Sequence, residues 1–211
     1  MYLKKQSSKK TNHGFTLLLT VIVIGVILSV TVASLNLAVK QVRLSADTRD
    51  SEVAFQAASA GLECIRYWRR AERDGFEENE AEIDIRCFTN TAVSPAVRQN
   101  ITDSDGVTGS GSVHRYAYQI SWGDSAFGER CSQMRFIVMN TDIDTPLPLS
   151  ISNEFMRTLF PGYPVLANPT QCEPGGRCTV FSSQGYSASC PSNIDGVFPL
   201  GTIQREILVE F

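Results

Sequence analysis

Six cysteines carry most of the chemistry within reach of this sequence: Cys64, Cys87, Cys131, Cys172, Cys178 and Cys190. An even set in an exported chain reads as a disulfide framework of up to three bridges. About 15 pairings are open to six cysteines, so the sequence leaves the connectivity undecided. Cys172 and Cys178 bracket Glu173-Pro174-Gly175-Gly176-Arg177 and would close a tight loop. Cys64 and Cys87 would tie a helix to the connection after it. Zinc fits poorly, because there is no Cys-x-x-Cys and His13 and His114 are the only histidines. Asp103-Ser104-Asp105-Gly106 begins like a calcium loop, but Val107 and His114 stand where further oxygen ligands belong. His114 falls in a strand pattern and reads as a partly exposed strand residue rather than a general base. No Gly-x-Ser-x-Gly or His-Glu-x-x-His is present. Without a grouping of nucleophile, base and orienting group, neither an enzyme nor a metal or cofactor site is expected.

The elements that would position these cysteines begin with a leader, residues 1–14, holding Lys4, Lys5, Lys9 and Lys10. The 25 residues from Phe15 to Val39 then contain no charged side chain. At 1.5 Å per residue such a helix spans about 37 Å, more than a hydrocarbon core of about 30 Å. A secretory signal has a shorter apolar region, although Thr31-Val32-Ala33 offers a small-residue cleavage site. Lys40, Arg43 and Arg49 follow the span, so flanking charge orients it only weakly. The cysteine-rich remainder reads as exported, which puts the N-terminus inside and the C-terminal domain outside the cytoplasm.

Residues 40–73 contain no Pro and one Gly, Gly61, and are rich in helix formers. Phe55, Ala58, Leu62 and Ile65 recur at helical spacing and predict one buried face. Together the two halves predict one helix of roughly 55–60 residues, about 85 Å long. Glu77, Glu78, Glu80, Glu82 and Asp84 read as a solvated acidic connection. Thr108-Gly109-Ser110-Gly111-Ser112 reads as a flexible turn. Alternation predicts strands over 116–122, 133–140, 179–187 and 203–211, with a short helix beginning near Phe155. One long helix followed by several strands is α+β, with an antiparallel sheet in the 74–211 region.

The formal net charge is −3 over 211 residues, and loss of the leader's four lysines would take it to about −7. The arginines are scattered along the sequence, and Arg66, Arg69, Arg70 and Arg73 sit among acids on a helix. Nucleic acid is therefore not an expected partner.

His13-Gly14-Phe15-Thr16-Leu17, with its basic leader and uncharged run, resembles the processing site of type IV pilin and pseudopilin precursors. The stretch Phe55-Gln56-Ala57-Ala58-Ser59-Ala60-Gly61-Leu62-Glu63 is similar to one found in PilX-like minor pilins. The resemblance implies cleavage between Gly14 and Phe15 by a prepilin peptidase, and N-methylation of Phe15. It implies a pilin-like fold, with residues 15–39 as the transmembrane half of the helix and 40–73 as its amphipathic half. Other pilin subunits and the inner membrane would be the partners, and a cell-surface filament or pseudopilus the destination. Leu19 departs from the pattern, since most pilins carry Glu there, at the fifth mature position. That carboxylate is thought to meet the free amine of a neighbouring subunit. Its absence points to a minor subunit that caps or primes a filament, as at the tip of secretion pseudopili, or to a lineage that lost it. The competing expectation is a membrane-anchored or secreted adhesion or binding protein outside any filament.

Overall fold

The computed structural model describes residues 13–78, 83–87, 93–102, 106–123, 128–144 and 147–210. Most of the lysine leader, Glu80 and Glu82 of the acidic run, Asp103–Asp105 of the calcium-like loop and Phe211 lie outside them. The chain divides into two units, residues 1–47 and 48–211. One α-helix, α1 (His13–Ala71), accounts for the described part of the first and opens the second. Among the described residues of the first unit, Phe15, Leu19, Ile22, Val26, Leu37 and Leu44 are all more than half exposed. Its hydroxyls are satisfied inside the helix. Thr20 donates to the Leu17 carbonyl and Ser29 to that of Val26, both at 2.8 Å, and Ser34 donates to that of Val30 at 2.9 Å. Such back-bonding removes the need for water at these groups.

The described residues of the second unit form α2 (Arg73–Glu77), eight strands and α3 (Asn153–Leu159). The strands are β1 (Val97–Ile101), β2 (Val107–Thr108), β3 (Gly111–Trp122), β4 (Arg130–Thr141), β5 (Leu149–Ile151), β6 (Thr170–Cys172), β7 (Arg177–Tyr186) and β8 (Gln204–Glu210). A five-stranded sheet has the order β1-β3-β4-β7-β8, and a three-stranded sheet the order β2-β5-β6. All the pairings are antiparallel. The α+β class follows directly from these elements.

The last turns of α1 lie on one face of the large sheet through a stripe of small residues. Ala54, Ala57, Ala58, Leu62 and Ile65 are buried, whereas Phe55 is 54 % exposed. The face expected from Phe55 is therefore rotated toward Ala54 and Ala57. Close approach is the reason: a Cβ on Gly185 of β7 would overlap the backbone of Ala54 and Ala58. A Cβ on Gly61 would sit 2.7 Å from Ser183 Oγ. Ser132 of β4 donates to the Ala57 carbonyl at 2.8 Å, which fixes the contact.

Beside this stripe the core becomes aromatic. Phe136 of β4 stacks on Tyr116 at 5.2 Å and meets Phe76 of α2 edge-on at 5.3 Å. The tyrosine hydroxyls reach polar partners: Tyr116 donates to the Phe76 carbonyl at 3.2 Å and Tyr118 to that of Ile83 at 2.8 Å. Burying large rings with their polar tips satisfied gains the apolar area without an orphaned group.

Strand alternation sends the neighbouring side chains to the opposite face. There Ile137, Met139 and Val180 pack with Leu149, Ile151, Met156 and Phe160 of the small sheet and α3. Ser152 caps α3, its hydroxyl accepting from the Phe155 N–H at 3.3 Å. Toward the other end this face is polar. Gln133 donates to the Ile194 carbonyl at 2.9 Å, and Arg135 lies 3.7 Å from Asp195. The loop after β7 is thus held by hydrogen bonds and by the Cys131–Cys190 disulfide at its start.

The Gly-Ser run expected to be a turn or linker is bounded closely by strands. Val107 and Thr108 form β2, and β3 begins at Gly111, so the Gly-Ser run is a turn between two sheets. Gly109 turns there at φ +108°, its Cα facing Pro148 and Leu149 too closely for a side chain. Residues 97–101, where alternation predicted no strand, pair with β3 as the edge strand β1.

Candidate functional site

The N-terminal segment holds the residues expected to be processed and to assemble. Gly14, Phe15 and Leu19 all lie in the first turns of α1. Phe15 is 69 % exposed and Leu19 52 %. No carboxylate or amine stands between Phe15 and Lys40, so this surface is uncharged and mainly apolar. α1 is the one described helix long and apolar enough to cross a membrane. Over residues 15–39 the apolar residues surround the helix instead of forming a stripe, the pattern of a segment enclosed on every side.

The six cysteines form three disulfides: Cys64–Cys87, Cys131–Cys190 and Cys172–Cys178. The first ties the end of α1 to the chain beyond α2, and Trp68 Nε1 reinforces it by donating to the Arg86 carbonyl at 3.0 Å. The third closes a loop between β6 and β7, whose Gly176 carbonyl accepts from the Thr141 hydroxyl at 2.9 Å. No group of His, Cys, Asp and Glu able to hold a metal occurs among the described residues.

His114 is buried, not partly exposed as its strand position suggested. It sits in β3, with Nδ1 2.8 Å from Asn100 Oδ1 on β1. Burial pushes its pKa below the ordinary 6.5, outweighing a hydrogen bond to the Glu77 backbone that acts the other way. No nucleophile neighbours it in these contacts.

Glu77 corrects the reading of a wholly solvated acidic run. It is only 4 % exposed and accepts from three arginines. Arg69 Nη2 lies 2.7 Å from Oε1, Arg177 Nη1 2.9 Å from Oε2 and Arg73 Nε 3.4 Å from Oε1. The spacing of Arg69, Arg73 and Glu77 by four residues was a legible signal for part of this cluster. Arg177 comes from β7, more than a hundred residues away, and no sequence pattern links it. Folding thus gathers arginines that look scattered in the sequence.

No protein family, no curated protein and no solved structure matches this chain.

Proposed function

We propose that the chain is a minor subunit of a type IV pilus or secretion pseudopilus, structural and not catalytic. The observation that carries this reading is one uninterrupted helix, His13–Ala71. Its uncharged part begins directly after Gly14, and its last turns bear a sheet domain fastened by three disulfides. A membrane-held precursor needs an uncharged helix that lipid accepts, and the internally bonded hydroxyls of Thr20, Ser29 and Ser34 serve that need. A filament subunit needs the same apolar surface for contact with neighbouring helices once it leaves the bilayer. The disulfides suit a domain displayed in an oxidising compartment. In this reading the peptidase cuts after Gly14, the amine of Phe15 becomes the methylated terminus, and residues 48–211 face outward.

Leu19 supports a place at the end of the filament in this reading. Without a carboxylate there, the subunit cannot answer the terminal amine of another subunit, so it belongs at an end and initiates or caps assembly.

The test is co-expression with a prepilin peptidase. The unaltered chain should shorten, and Gly14→Val should keep its leader. Equal shortening of both, or of neither, overturns the assignment. Shortening near Ala33 would favour an ordinary exported protein outside any filament.

A further inference from the structure

We propose that a cleft between α1, α2 and β7 binds a small, soluble molecule bearing at least one phosphate group. The cleft holds about 420 Å³ and is lined by Arg66, Arg69, Arg70, Arg73, Arg177 and Glu77. Thr179 and Phe181 of β7 complete it. This proposal stands whether or not the chain enters a filament.

Charge is the first argument. The chain is acidic overall, with a formal net charge of −3, yet five of its arginines line one cleft. Like charges gathered this closely repel one another, and among the described residues Glu77 is the only acid in the lining. Arg66 also answers Glu63 at 3.0 Å. Among the described residues the lining thus sets five arginines against one carboxylate. A multiply charged anion would complete the neutralisation, and a single carboxylate would not.

Geometry is the second. Glu77 works as a buried strut, drawing on Arg69 and Arg73 from one side and Arg177 from the other. Arg69 is further fixed by donating to Thr179 Oγ1 and to the Arg73 carbonyl, each at 3.3 Å. These bonds preorganise the guanidinium groups before a ligand arrives, so less ordering is lost on binding. Arg73 and Arg177 keep 56 % and 42 % of their side chains exposed, leaving N–H donors for a ligand. The Arg70 side chain is exposed and makes no hydrogen bond or ion pair among the described residues. Every cation is an arginine, whose planar fork pairs bidentately with phosphate oxygens.

The experiment is calorimetric titration of the full chain in neutral detergent at low salt, with pyrophosphate as the probe. One saturable site per chain is expected, with Kd below about 1 mM. Arg70→Gln should weaken it about tenfold, the loss of one charge-assisted contact. Arg98→Gln, an exposed change on β1, should leave it unaltered. Glu77→Gln should tighten binding if the fold survives. The Arg70→Gln comparison decides the matter even if Glu77→Gln unfolds. No saturable binding, or equal loss in Arg70→Gln and Arg98→Gln, overturns the proposal. Citrate binding as tightly as pyrophosphate also overturns it, because the site would then read carboxylates.

Discussion

Single residues in this protein are constrained mainly where α1 meets the sheet. Gly185 has no space for a Cβ against the Ala54 and Ala58 backbone. Gly185→Ala should therefore destabilise the domain by about 1–3 kcal/mol, as overpacking does. An unchanged urea midpoint would show that the contact relaxes freely. Ser183 presents the opposite case. Its hydroxyl is buried and finds no hydrogen-bond partner among the described residues. Ser183→Ala removes an orphaned polar group and should raise stability by about 1 kcal/mol; a lowered thermal midpoint would mean the hydroxyl has a partner. His114 adds a pH dependence whose sign follows from its burial. Its folded pKa lies below the ordinary 6.5, so the unfolded chain takes up the proton first as pH falls. The stability it contributes is complete above pH 6.5 and is lost as pH drops through the folded value. His114→Asn should flatten that part of the curve, and a curve of unaltered slope below pH 6.5 would contradict this.

At the scale of elements, the disulfides rank by the loops they close. The separations are 59 residues for Cys131–Cys190, 23 for Cys64–Cys87 and 6 for Cys172–Cys178. Loop-closure entropy alone then gives about 4, 3.5 and 2.3 kcal/mol. Replacing each pair by alanine should lower the urea midpoint in that order; a larger loss at Cys172/Cys178 than at Cys131/Cys190 would refute it. The long strands were legible because alternation survives in them. Met134, Phe136 and Val138 reach one core and Ile137 and Met139 the other, as their period of two requires. The buried helix face was less legible. A hydrophobic-period reading weights Phe55, but close packing on Gly185 selects alanine and glycine instead. Short strands such as β2 were illegible because two residues carry no period. The Glu77 cluster was half legible: its helical spacing was visible, while Arg177 arrives only through the β7 pairing.

For the whole molecule, the two units have opposite surface demands. Residues 15–44 expose apolar side chains almost without interruption, while 48–211 bury two apolar clusters on the two faces of one sheet. An exposed apolar helix of this length is long and apolar enough to cross a membrane. The pilin-type reading supplies two environments in succession, first membrane and then filament. It also predicts position: immunogold labelling of the native chain should mark filament ends, and Leu19→Glu should spread the label along the shaft. Label along the shaft in the unaltered chain would contradict the end-subunit role. The central claim is tested most directly by intact-protein and N-terminal peptide mass spectrometry of the mature chain from its native membrane or filament. The account predicts a first residue of N-methylated Phe15, with all six cysteines oxidised. An intact lysine leader, or a mature terminus near Ala33, would contradict it.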